Sequence, residues 1–328
     1  VISIPRDQVV LNTLNVPAGP ASELASIVRF QIAKELPFAV EQATLDFAVA
    51  GRIDPQVPSS LLVAAVRNEQ LEFYKSVARE AGLQVERIGL RPHANLIAVL
   101  AKSPEHALKS LLLVEVGPQL TEIDIIRDGA LAFSRAASVA LPDLEPVSED
   151  RLKDSRIDSL PLLERGRDER SRKAVDEVMV EVIRSFEAYR ATEPAARVDQ
   201  VVVCGATGIE SELGEMLGAR FGVPTEPFSP ERALSLPPQR AKELRGFSAA
   251  LGLALGHGGE GLAHFDFLHP KKPVSKRTIR LKKVPTVVLT GAFLISALVA
   301  AHIRYVSPLV AEERRLAGEI SAEKKGEN

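Results

Sequence analysis

The stretch Val284–Ile303, VPTVVLTGAFLISALVAAHI, leaves this chain little choice of environment. It contains no Asp, Glu, Lys or Arg, and its single His lies near the far end. At ~1.5 Å rise per residue, a helix of this length crosses the roughly 30 Å hydrocarbon core of a bilayer. Pro285 falls in the first turn, where its missing N–H leaves nothing unpaired. A buried core helix is the alternative, but a soluble helix is seldom apolar on every face for so long. The sequence therefore predicts one transmembrane helix, placed at residues 284–306.

The flanks predict its orientation. Lys271, Lys272, Lys276, Arg277, Arg280, Lys282 and Lys283 precede it, with no acidic residue between Asp266 and the span. After it, Arg304, Arg314 and Arg315 are interleaved with Glu312 and Glu313. Positive charge stays inside, which puts the N-terminal part in the cytoplasm and the tail outside. The span is too far along the chain to be a signal peptide.

What precedes the span is long enough to bury a sizeable core. A formal net charge of −2 gives no sign of nucleic-acid binding, and the basic cluster is accounted for by the membrane surface. The single cysteine, Cys204, excludes an internal disulfide and suits a reducing compartment. The absence of Trp, with only three Tyr, argues against a base-stacking surface. The chain starts on Val and ends on EKKGEN, which reads as a fragment cut at both ends.

In chain order, the periodicity predicts strands on either side of Pro5 to Val16 and a helix from about Pro20 to Glu35, stopped by Pro37. Strands follow at Ala43–Val49 and Leu61–Val66, then an amphipathic helix from Asn68 closed by Gly82. A strand at Leu83–Ile88 and a helix near His93–Leu100 come next. Leu111–Val116, Thr121–Arg127 and Ala130–Ser134 form three strands, the last two joined by the hairpin signal Asp128-Gly129. Residues 143–173 are crowded with charges of both signs and read as a mobile excursion. Then come a helix at Ala174–Ala191, a buried strand at Gln200–Cys204, a helix at Ile209–Phe221 and a short helix at Phe247–Leu255. Pro308–Lys324 has helical propensity and opens a helical region at 307–328. Alternating strands and helices plus one antiparallel hairpin predict an α/β fold with mixed sheets in two halves.

Two stretches carry candidate chemistry. In VVVCGATGIESELG a strand, a glycine turn and a helix start leave backbone N–H groups free for a phosphate or adenine. Without a third glycine, at Ser211, it is a poor dinucleotide fingerprint, and a plain β–α turn is the other reading. In LLLVEVGPQLTEIDIIRDG, Glu115 could reach a metal–phosphate and Gly117 could let a phosphate approach the backbone; a hairpin with a polar strand end is the other reading. His257, His264 and His269 show no metal spacing. Cys204 reads as core rather than nucleophile, and no catalytic constellation stands out.

Taken in order, several pieces resemble the PilM family, actin-like proteins of type IV pilus assembly related to GspL of type II secretion. They are IVRFQIAKELPF with the following LDF, AVRNEQLEFYKSVAREAGLQVERIGLRPHANLIAV, the strand–turn–strand from Glu115 to Phe133, EVIRSFEAYRA, VVVCGATGIESELGEMLGARFGVP and FSAALGLALG. The resemblance implies an actin-like, ribonuclease H-like two-lobed ATPase fold over residues 1–263, with a small inserted subdomain at about 20–90. It implies a nucleotide cleft built by Glu115, Gly117, Thr121, Gly205 and Ala206, with ATP and Mg²⁺ as the cofactors such a cleft would take. Glu115 stands where the family has Asp, Pro118 and Gln119 replace small residues, and Gly205-Ala206 replaces a Gly-Gly turn. The first phosphate loop is absent and is expected upstream.

Residues 264–283 join this domain to the span. FDFLHPKKP resembles the cytoplasmic peptide of PilN, which docks onto PilM, so the chain reads as a PilM–PilN fusion with Phe265, Phe267 and Leu268 binding back in cis. A plain juxtamembrane linker is the other reading. The resemblance implies a scaffold of the bacterial inner membrane, contacting PilN/PilO-like membrane proteins and the cytoplasmic pilus ATPase or core proteins. A membrane-tethered ATPase of the actin and sugar-kinase group is the competing expectation.

Overall fold

A computed structural model describes residues 1–49, 56–101, 103, 105–141, 160–234, 237, 244–256, 264–273 and 292–326. The chain divides into two units, Val1–Lys272 and Pro273–Asn328.

The first unit is organised by a five-stranded sheet of order β10-β9-β6-β7-β8. Its strands are β6 (Leu111–Val116), β7 (Thr121–Arg127), β8 (Ala130–Ala137), β9 (Gln200–Gly205) and β10 (Thr225–Pro227). β6 pairs parallel with β9 and antiparallel with β7, so the sheet is mixed. The run LLLV of β6 is apolar at every position because both faces of the sheet are covered. On one face Leu112, Val114, Ile123, Ile125, Val201 and Val203 pack on Val178, Val182 and Phe186 of the helix Leu160–Thr192. On the other, Leu111, Leu113, Val202 and Cys204 meet Leu96 and Val99 of the helix Arg91–Leu100. Strand period places Glu115, Glu122 and Asp124 on this second face.

A three-stranded antiparallel sheet of order β2-β4-β3 forms the small subdomain, from β2 (Val9–Val16), β3 (Ala43–Val49) and β4 (Ser59–Arg67). The helix Ala21–Ile32 buries Leu24, Val28 and Ile32 against Leu14, Phe47, Leu61 and Val63. β1 (Ile2–Ile4) and β5 (Ile88–Leu90) make a separate two-stranded parallel pair.

Several expectations are corrected. The small sheet begins at Val9, upstream of the boundary drawn at about residue 20. The strand expected over Leu83–Ile88 is confined to Ile88–Leu90, because β1 offers only three residues to pair with. Leu83 instead closes the preceding helix, its N–H donating to the Ala78 carbonyl at 2.8 Å. The long helix starts at Leu160, so residues 160–173 are its first turns rather than part of a mobile excursion; the rest of that excursion, 143–159, lies outside the described residues. Thr225–Pro227 escapes sequence reading because an edge strand tolerates Pro.

The helices Arg91–Leu100 and Ser248–Leu255 approach closely at Gly252, where a Cβ would lie 1.7 Å from the Ala94 carbonyl oxygen. Gly252→Ala is therefore expected to force the helices apart at a cost of about 2 kcal/mol. A thermal unfolding midpoint unchanged from the parent would contradict this.

In the second unit, Ala292–Gly318 is apolar enough to cross a membrane, with mean hydropathy 1.6 and no part of it buried. Residues 284–291 of the expected span lie outside the described residues. His302–Val306 forms a π-turn before the helix Ser307–Gly326. Pro308 supplies the reason: it has no N–H for the carbonyl one turn back, and a wider turn absorbs the mismatch. Ser307 Oγ donates to the Ile303 carbonyl at 3.1 Å in the same turn.

Candidate functional site

The ends of β6 and β9 open on a cavity of about 880 Å³. Glu115, Gly117, Gly205 and Ala206 all line it, with Arg91, Phe247 and Ser3. Thr121 does not. It points to the opposite face of β7, fully buried, and its hydroxyl has no partner among the described residues.

The polar groups of this cavity are already engaged. Glu115 accepts hydrogen bonds from Asn95 Nδ2 and, at 3.5 Å, from Ser248 Oγ. Burial raises its pKa, with Arg91 and Asn95 opposing. Directly across β7 lies Glu122, whose carboxyl is pushed well above the usual range by burial and then by Glu115 and Asp124. Arg91 lies 3.6 Å from Glu122, and the Arg6 N–H donates to it at 2.8 Å. Asp124, fully buried, is raised to about 7 by burial, with Glu115 adding and Ser134 and Arg6 opposing.

Three backbone donors at the two loops are engaged as well. Gly117 N–H donates to the Leu120 carbonyl at 3.1 Å, closing the hairpin turn. In the second loop, the Glu210 carboxylate accepts from Thr207 N–H at 2.5 Å, Thr207 Oγ1 at 2.7 Å and Gly208 N–H at 2.8 Å. Gly205 sits at φ 142°, where a Cβ would meet the Val116 carbonyl at 2.7 Å, so a glycine is required there. The methyl of Ala206 faces Gly246, where an added Cβ would lie 2.9 Å from it. Nucleotide phosphates need free N–H donors and a carboxylate free to orient Mg²⁺ or water. The residues present do not fit ATP with Mg²⁺ in this conformation. Cys204 is buried beside Glu115 on the neighbouring strand, and its thiol is pushed well up by burial and then by Glu115, which makes it inert. Among the described residues no cluster of His, Cys, Asp and Glu could hold a metal ion.

A second arrangement lies at the seam between β5 and the edge strand β3. Phe265 and Phe267 are each 2 % exposed and pack among Ile4, Val66, Ile88 and Leu90, with Leu268 partly buried beside them. Phe267 N–H donates to the Ile88 carbonyl at 2.7 Å. His93 meets the Phe265 ring edge-on at 5.2 Å. Under the aromatic pair is Asp46 of β3, fully buried. Its carboxylate accepts from Asp266 N–H at 2.7 Å, Lys271 N–H at 3.2 Å and Lys271 Nζ at 3.0 and 3.2 Å. Burial raises the Asp46 pKa and Lys271 opposes it. Asp266 holds the turn together, accepting from Leu268 N–H at 3.0 Å. Sequence reasoning missed Asp46, Lys271, Glu210, Asn95 and Ser248. An acid inside the apolar strand ATLDFAV was the one available signal for Asp46.

The fold is that of a solved structure described as a "PilM-PilN type IV pilus biogenesis complex". It is 23% identical, with a TM-score of 0.62 over 78% of this chain and 78% of that one. The cytoplasmic domain of EpsL, an inner membrane component of the type II secretion system of Vibrio cholerae, matches at 13% identity and TM-score 0.32 over 42% and 49% of the two chains. MreB5 of Spiroplasma citri bound to AMPPNP matches at 15% and 0.37 over 58% and 65%. The family match ends before the strand Gln200–Gly205, so the later motifs lie outside it. Residues 1–139 match the family described as type IV pilus assembly protein PilM, and the chain has the actin-like fold that goes with that family.

Proposed function

We propose that this protein is a platform component of the bacterial inner membrane in a type IV pilus or type II-like secretion machine. Its first unit lies in the cytoplasm, its apolar helix crosses the bilayer, and its last helix is periplasmic. It passes contacts between the cytoplasmic pilus ATPase or core proteins and PilN/PilO-like membrane partners. The observation that carries this reading is the seam at Asp46. The segment directly ahead of the basic linker and apolar helix is built into the folded unit, as expected of a PilN-like peptide tethered in cis. A short tether raises its effective concentration, so even a weak contact stays occupied. The charge flanks support the orientation.

The protein acts here without phosphoryl transfer. Glu115 held by Asn95 and Ser248, and loop amides held by Leu120 and Glu210, support that reading. Millimolar ATP is expected to give no turnover above background with the detergent-solubilised chain. Steady hydrolysis that disappears in Glu115→Gln would make the protein an ATPase instead. For the topology, Cys204 is buried and silent, so Ser321→Cys supplies a unique label site. Labelling of intact spheroplasts by a membrane-impermeant maleimide is expected, and protection until lysis would reverse the orientation.

A further inference from the structure

The carboxylate of Asp46 is fully buried, and among the described residues all of its hydrogen-bond donors belong to one segment, 264–271. Among the described residues β3 is an edge strand, paired only with β4, and the sheet itself brings no donor to this side chain. The segment answers it in two ways. The Asp266 and Lys271 N–H groups address the two oxygens separately, which needs the tight turn that Asp266 itself closes. The Lys271 ammonium spans both oxygens, is fixed from behind by the His264 carbonyl at 2.7 Å, and lies 5.3 Å from the Phe47 ring centroid. A buried carboxylate left without these donors is strongly unfavourable. Apolar burial of Phe265 and Phe267 alone would therefore not fill the seam.

We infer that Asp46 is the specificity-determining residue of the seam. It restricts the occupant to a peptide of the form aromatic–acidic–aromatic with a lysine or arginine four residues after the second aromatic. This rests on the cis-docking reading above and adds a charge requirement to it. The consequence for partners is direct. A separate protein carrying a like segment is shut out while the cis segment is in place. An aromatic peptide without the cation is rejected even when the seam is open.

The test is a double-mutant cycle in the full chain in detergent micelles, read by hydrogen exchange at the Phe267 amide, whose partner is the Ile88 carbonyl. Asp46→Asn keeps the side-chain shape, and Lys271→Met removes the charge at a position near the surface, so both are expected to fold. Lys271→Met should accelerate exchange at Phe267 by at least about tenfold alone, and by less than about threefold in the Asp46→Asn background. Equal acceleration in both backgrounds would overturn the charge-reading role and leave cis docking standing. Exchange at Phe267 in the unaltered chain as fast as in an unstructured peptide would overturn cis docking itself.

Discussion

Phe267→Ala is expected to destabilise the first unit by about 3–5 kcal/mol, the range for deleting a fully buried aromatic ring. The residue is about 260 positions from Ile4 and Val9 in sequence yet lies in one cluster with them and with Ile88 and Leu90. Its loss leaves a ring-sized hole and also loosens the Phe265 ring stacked beside it at 6.0 Å. For a unit of this size the unfolding midpoint should fall by roughly 5–10 °C. A juxtamembrane linker resting on the bilayer would behave differently: its phenylalanine could be removed with no change in midpoint. Calorimetric unfolding of the parent and the variant separates these outcomes.

Asp124→Asn is expected to change the pH dependence of stability. The folded carboxyl titrates at about 7, while the unfolded one titrates near its ordinary 3.8. Below about pH 4 both states are protonated and the acid costs nothing. Between about 4 and 7 the unfolded chain releases its proton while the folded chain keeps it, so stability falls as pH rises. Above about 7 both are ionised and the loss is complete. The asparagine variant lacks this titration. It should match the parent near pH 4 and exceed it by about 4 kcal/mol at pH 8. Parallel stability profiles across that range would mean that Asp124 is ionised in the fold throughout.

Much of this fold is legible in the sequence because its elements follow local periodicity. LLLVEV, QVVVCG and the i, i+4 apolar stripe of ASELASIVRFQI each identify themselves. The misjudged parts depend on partners far along the chain. Leu83–Glu86 has the composition of a strand but finds no strand to pair with, since β1 is spent on Ile88–Leu90. Residues 160–173 look unable to fold alone, and they are carried as an extension of the helix whose later turns pack on the sheet. In the candidate cleft, the family resemblance groups Glu115, Gly117, Gly205 and Ala206, and these four line one cavity. The resemblance cannot reveal that Leu120 and Glu210 have taken the donors, because hydrogen bonding is a matter of where carbonyls and carboxylates point. Thr121 fails for a simpler reason: the hairpin register sets Glu122 opposite Glu115 and Thr121 opposite Val116, on the other face of the sheet.

The placement of Phe267 against Ile88 also has a bearing on solubility. Among the described residues β5 pairs with β1 on one side only, and on the other the Ile88 carbonyl is met by the Phe267 N–H of the covering peptide. Exposed strand edges are templates for pairing with other chains. If the covering peptide came from a separate protein, this edge would lie bare whenever that protein was scarce or slow to arrive. Carried on the same chain, the cover is made in fixed ratio with what it shields, and the hazard of self-association no longer depends on matched synthesis of two proteins.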